Sequence, residues 1–77
     1  MKTKILFFGS IGAMVGQGEM FLENQKDVKS VKENLTKIYP ELENFTYRIA
    51  LNQEIVDDNP DLNDGDVIAL MPPFAGG

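Results

Sequence analysis

The residues of this sequence that could do chemistry lie at its C-terminal end. The 77-residue chain closes with two glycines, Gly76 and Gly77. The α-carboxyl group of Gly77 is ionised at neutral pH and resists nucleophilic attack. It must therefore be activated first, and an acyl-adenylate formed by an ATP-using partner would achieve this. A sulfur donor could then generate a C-terminal thiocarboxylate, and glycine suits both steps because a Cβ atom would crowd the approach.

The segment before the terminal glycines is narrow and is predicted to be extended. Pro72 and Pro73 favour a stiff exit from the preceding strand, Phe74 offers an anchor, and Ala75 adds almost no side-chain width. Six extended residues reach about 20 Å. We therefore expect a tail, residues 72–77, that threads a narrow pocket in another protein.

Two apolar residues near the tail are further candidates for partner binding. Met71 ends the last predicted strand, and Phe8 ends the first apolar run of the chain. The alternative for both side chains is a place in the core. The predicted site consists of Gly77 and Gly76 for the chemistry and of Pro72, Pro73, Phe74, Ala75, Met71 and Phe8 for partner binding.

Composition excludes most other kinds of site. The chain has no cysteine and no histidine, which excludes a disulfide framework, a cysteine nucleophile and the usual histidine acid–base chemistry. The formal net charge of −5, with only seven Lys and Arg, disfavours nucleic-acid binding. The apolar run at residues 5–8 is too short for a signal peptide or a membrane span. The expected location is the cytoplasm, with no membrane partner.

Two other motifs are better explained as connections. The glycine-rich residues 9–18 lack the Gly-Lys-Ser/Thr ending of a phosphate-binding loop, and a hairpin connection is the preferred interpretation. The acidic residues 57–66 invite comparison with a calcium-binding loop. However, Pro60 and Leu62 would occupy two ligand positions, and Met71 would stand in place of the bidentate glutamate. No metal site is predicted.

The elements that must position the tail follow from hydrophobic patterning. Apolar, β-favouring runs predict strands at residues 4–8, 19–23, 47–51, 54–56 and 67–71. The first strand, with four consecutive apolar side chains, is expected to be covered on both faces and central in its sheet. The first two strands are close enough in sequence to pair as an antiparallel hairpin.

One helix is predicted between the second and third strands. Asp27 is a suitable N-cap, and Pro40 ends the helix. One helical face carries the apolar residues Val28, Val31, Leu35, Ile38 and Tyr39. A single helix across a mixed sheet gives an α+β fold of the ubiquitin-like β-grasp type, with residues 1–71 as the domain and residues 72–77 as an extended tail.

The C-terminal third of the sequence resembles a known family. The segment 62–77 combines an Asp-Gly-Asp turn, a strand and a Pro-Pro-x-x-Gly-Gly ending, and it looks like the small subunit of molybdopterin synthase. The segments 50–53 and 4–8, and the pair Val15-Gly16, also match that family.

The resemblance implies a role as a sulfur carrier. A ubiquitin-activating-type adenylyltransferase would adenylate Gly77, and a sulfur donor would convert it to a thiocarboxylate. The tail would then enter the large subunit, in a heterotetramer, and give its sulfur to cyclic pyranopterin monophosphate. No cofactor would be bound permanently, since ATP is used by the activating partner. The chain would be a cosubstrate rather than an enzyme, because the catalytic side chains of that family belong to the large subunit.

Two departures from the family pattern and three alternatives qualify this interpretation. Gly12-Ala13 replaces a charged pair that is common in the first loop, and Leu70-Met71 stands where aromatic residues often precede the two prolines. The alternatives are a sulfur carrier for thiamin thiazole synthesis, a ubiquitin-like protein modifier and a β-grasp interaction module with an idle tail.

Overall fold

The computed structural model describes residues 1–73. In chain order, these residues form β1 (Lys2–Phe7), α1 (Gly9–Val15), β2 (Glu19–Glu23), α2 (Val28–Ile38), a 3₁₀ helix η1 (Pro40–Asn44), β3 (Arg48–Leu51), β4 (Glu54–Val56) and β5 (Val67–Met71). None of the helices in this part of the chain is long and apolar enough to cross a membrane.

The strands form one mixed sheet in the order β2-β1-β5-β3-β4. The predicted antiparallel hairpin of β1 and β2 is confirmed, with Ile5 opposite Met20. Strands β1 and β5 are parallel, with Ile5 opposite Ile68, and the long connection between them contains α2, as a parallel pairing requires. The prediction of a mixed sheet carrying one main helix in a ubiquitin-like β-grasp arrangement is confirmed. β1 has neighbours on both sides, but the centre of the sheet is β5.

Helix α2 begins at the predicted cap. The backbone N–H of Ser30 donates to the Asp27 carboxylate at 2.8 Å, and the Ser30 hydroxyl donates to the same oxygen at 2.7 Å. Both hydrogen bonds lower the pKa of Asp27 below its ordinary value, and the bond from the hydroxyl has the larger effect. Val28, Val31 and Leu35 are buried, as predicted.

The prediction that Ile38 lies on the buried face of α2 is wrong. Ile38 is the last residue of the helix and is 48% exposed. The chain leaves helical geometry at Tyr39, whose ring meets the edge of the Phe7 ring with centroids 6.1 Å apart. Tyr39 therefore supplies the apolar contact at this end of the helix.

Among the described residues, helices cover only one face of the sheet. Ile5, Phe7, Ile68 and Leu70 are buried on that face. Lys4 and Leu6, on the other face of β1, are half-buried. The prediction that β1 is covered on both faces is therefore wrong. Four consecutive apolar residues arise here because Leu6 and Phe8 belong to an apolar surface on the open face.

Two short helices were not assigned from the sequence. Residues 9–15 form α1 within the hairpin connection, whereas a loop was the preferred prediction. Ile11 explains the helix, because it is 1% exposed and enters the core from α1. Helix η1 buries Leu42 in the same way. Burial of apolar side chains in the core stabilises each short helix more than its local sequence does.

Candidate functional site

The base of the tail lies at the end of the central strand. Pro72 and Pro73 follow β5 directly, with Pro72 half-buried and Pro73 exposed. Phe74, Ala75, Gly76 and Gly77 lie outside the described residues, so their predicted roles and the division at residue 71 remain predictions.

β5 is held on both sides up to the point where the tail begins. Leu70 stands opposite Phe7 in β1 and opposite Ile49 in β3. The backbone N–H of Phe8 donates to the carbonyl oxygen of Leu70 at 3.2 Å, which extends the β1–β5 ladder beyond β1. Fraying of this end would break hydrogen bonds on both sides and expose Leu70, which has no solvent exposure. The origin of the tail is therefore fixed.

The beginning of β5 is held by side chains of the β3–β4 turn and of the preceding loop. The Asn52 carboxamide accepts from the backbone N–H of Val67 at 2.9 Å and donates to the Asp66 carboxylate at 3.0 Å. The backbone N–H of Asn52 donates to the Val67 carbonyl at 2.8 Å. Asn52 and Gln53 both have positive φ, 50° and 74°, as a two-residue hairpin turn requires. Asn52, which lies in the family-like segment 50–53, thus anchors the strand that carries the tail.

The open face of the sheet contains an apolar groove beside the tail exit. Register places Leu6 opposite Ala69, Ala69 opposite Ala50, and Ala50 opposite Ile55. The two alanines lie between larger side chains, so they form the floor of a groove of about 500 Å³. Phe8 and Met71 also line it.

The groove brings together part of the predicted site. Phe8 is 46% exposed and Met71 is half-buried, so neither is a fully buried core residue. No charged residue lines the groove among the described residues. Sequence reasoning missed Leu6, Ala50 and Ile55, because only the cross-strand register shows that they are neighbours.

A second cavity, of about 600 Å³, lies away from the tail beside α2. Its lining is charged and includes Lys29, Lys32 and Asp58. The Lys32 ammonium lies over the Tyr47 ring, 5.8 Å from its centroid, and burial raises the pKa of Tyr47. No cluster of acidic side chains within residues 1–73 could hold a metal ion.

The fold and the groove define a ubiquitin-like β-grasp protein with an apolar sheet face beside the base of its C-terminal tail. Comparison with known proteins gives the family. The sequence profile of the ThiS family matches residues 5–77, and the chain belongs to that family.

Relatives of known name support the resemblance found in the sequence. The molybdopterin synthase sulfur carrier subunit of Mycobacterium tuberculosis is 32% identical over all of this chain and 99% of its own length. The protein of the same name from Dictyostelium discoideum is 32% identical over 96% of this chain and 94% of its own length. The resemblance to this group of sulfur carriers is confirmed.

Solved structures share the fold. One chain from the complex of subunits 1 and 2 of molybdopterin-converting factor from Helicobacter pylori superimposes with a TM-score of 0.76, at 30% identity over all of both chains. SAMP1 from Haloferax volcanii gives a TM-score of 0.83 at 20% identity, again over all of both chains. The latter likeness shows the fold alone.

Proposed function

We propose that this chain is the sulfur carrier subunit of a molybdopterin synthase. The observation that carries the proposal is the full-length similarity to proteins of that name, in a chain that ends in Gly76-Gly77. The chain is a sulfur donor and not a catalyst on its own, a role that agrees with its lack of cysteine and histidine.

The proposed chemistry takes place at the Gly77 carboxyl group. An adenylyltransferase of the ubiquitin-activating type joins a carboxylate oxygen to the α-phosphorus of ATP, and pyrophosphate leaves. A sulfur nucleophile at the oxidation level of hydrosulfide then attacks the carbonyl carbon and AMP leaves. Loss of a proton gives the thiocarboxylate, and neither step is a net oxidation or reduction.

Sulfur transfer regenerates the carrier. The thiocarboxylate sulfur attacks a carbon of the cyclic pterin precursor in the large subunit and displaces an oxygen substituent of that carbon, which leaves with its bonding electron pair. The product is a thioester between Gly77 and the pterin. Hydrolysis of the thioester returns the Gly77 carboxylate and leaves the sulfur on the product. The carrier can then be activated again.

Docking onto the large subunit is proposed to use the groove and the tail together. Phe8 and Met71 line the groove, and Pro72 begins the tail at the same end of β5. Pro73, Phe74 and Ala75 are proposed to continue the contact into the partner's pocket. Apolar association suits this surface, because no charged side chain lines the groove among the described residues.

Two experiments test the proposed function in succession. The full chain is incubated with the activating enzyme, ATP and a sulfur donor, and its intact mass is measured. Exchange of one oxygen for sulfur supports the carrier, a ladder of conjugates supports the modifier alternative, and an unchanged mass contradicts both. Deletion of Gly77 should abolish the mass change with the fold intact, whereas an idle tail predicts no effect of the deletion on function.

The second experiment separates the two carrier products. The thiocarboxylated chain is mixed with a molybdopterin synthase large subunit and the cyclic pterin. Formation of molybdopterin supports the proposal. If no molybdopterin forms and the same thiocarboxylated chain donates sulfur in a thiazole-forming reaction, the result supports the thiamin alternative.

A further inference from the structure

Helix α1 begins in direct contact with the base of the tail. Gly9 is the first residue of α1, and its φ angle is +60°. A Cβ atom placed on Gly9 would lie 2.9 Å from Cγ of Pro72 and 3.7 Å from its Cδ. The first of these separations is shorter than a carbon–carbon contact allows. The Pro72 ring therefore occupies the space that a side chain at position 9 would need.

The contact bears on a part of the chain that cannot adjust freely. The Pro72 ring is closed onto its own backbone nitrogen, which fixes φ near −65°, so the ring cannot swing aside as an open side chain would. The neighbouring hydrogen bond from the Phe8 N–H to the Leu70 carbonyl, at 3.2 Å, holds β5 close to the start of α1. A side chain at position 9 must therefore move either α1 or the backbone at Pro72.

We propose that Gly9 is a positioning residue for the C-terminal tail. Its missing side chain gives the Pro72 ring a seat at the N-terminus of α1, and this seat sets the direction in which the chain leaves β5. The inference rests on the proposed carrier function, since it supplies the reason why the direction matters.

The length of chain between Pro72 and the reacting Gly77 carboxyl group makes a small change of direction at Pro72 costly. Five residues separate Pro72 from the end of the chain, and they span up to about 17 Å when extended. If a partner's pocket holds these residues extended, a rotation of about 10° at Pro72 would displace a group about 15 Å away by roughly 3 Å. Misplacement of a reacting group by about 1 Å can lower a rate by about 100-fold.

The chain offers a matched control for the test. Gly16 caps the C-terminus of α1 with φ +87°. A Cβ atom there would meet nothing within 4 Å. Gly9→Ala and Gly16→Ala therefore both place alanine in the left-handed region, but only Gly9→Ala collides with Pro72. The double variant Gly9→Ala/Pro72→Ala removes the Cγ atom that causes the collision.

The assay is the steady-state rate of thiocarboxylate formation on the full chain by the activating enzyme. We expect Gly9→Ala to lower kcat/KM at least about tenfold in a chain that remains folded, and we expect Gly16→Ala to stay near wild type. We expect the double variant to match Pro72→Ala alone. Equal kcat/KM for the two glycine variants, or a double variant slower than Pro72→Ala alone, would overturn the proposal.

Two further results separate a failure of this inference from a failure of the proposed function or of folding. If wild type gains no sulfur, the proposed function fails, and NMR then tests the contact. Gly9→Ala should change the NMR chemical shifts of Met71 and Pro72, whereas Gly16→Ala should not. Unchanged chemical shifts in Gly9→Ala would overturn the proposed contact between Gly9 and Pro72. If Gly9→Ala does not fold, a folded double variant supports the contact and an unfolded one contradicts it.

Discussion

Truncation of Phe8 gives the sharpest test of the groove as a docking surface. Phe8 is 46% exposed, and a phenylalanine side chain can bury about 200 Å². About 90 Å² is therefore left for a partner to cover, and at about 25 cal/mol per Å² its burial is worth about 2 kcal/mol. Phe8→Ala should weaken binding to the large subunit by about 30-fold.

Phe21 provides the control for this measurement. Phe21 is 49% exposed, nearly the same as Phe8. In β2 it stands opposite Lys4 of β1, which places it on the same face of the sheet as Phe8. However, it does not line the groove. Calorimetric titration of each variant with the large subunit should show weakened binding for Phe8→Ala alone, with similar thermal stabilities. Equal loss of affinity in Phe21→Ala, or a Kd for Phe8→Ala within about twofold of wild type, would refute the role of the groove.

Three further predictions concern the frame that carries the tail. Asn52→Ala should lower the free energy of unfolding by about 2 kcal/mol in urea titration, because the Val67 N–H loses its acceptor and alanine disfavours positive φ; an unchanged midpoint would contradict this. Thr3→Val should raise stability by about 1 kcal/mol, because the fully buried Thr3 hydroxyl has no hydrogen-bond partner among the described residues; Thr3→Ser, which keeps the hydroxyl, should not. Because the pKa of Asp27 is lowered in the folded state, its contribution to folding stability is present above the ordinary pKa and is lost as the pH falls through the lower folded value. Asp27→Asn should therefore flatten the loss of stability below about pH 4. Equal acid sensitivity of the variant and wild type would contradict the role of the cap.

The sequence predicted those parts of the fold that local patterns determine. The apolar positions of α2 repeat at helical spacing, and Asp27 stands where a cap is needed, so both followed from residues close together in the chain. The error at Ile38 has the same origin. The helical spacing of apolar residues continues to Ile38, but the backbone leaves helical geometry at Tyr39 and Ile38 stays exposed.

Features that depend on distant residues were not predictable in this way. Gly9 and Gly12 lower the helical propensity of α1, and burial of Ile11, with Met14 and Val15 packed against the core, compensates. The groove depends on register, because Ala69 becomes its floor by lying opposite Ala50 and Leu6. Nothing in the local sequence of any single strand specifies that alignment.

The position of β5 would link the proposed docking surface to the proposed chemistry of the tail. Its Ala69 side forms the floor of the groove, and its Met71 end leads directly into Pro72. A partner that binds the groove therefore also fixes the origin of the tail, since both belong to one strand that is paired on each side. Flexible attachment would leave the chain end to search for the partner's pocket and would add an ordering cost on binding. Anchoring in β5, together with the seat proposed at Gly9, reduces that cost before the partner arrives.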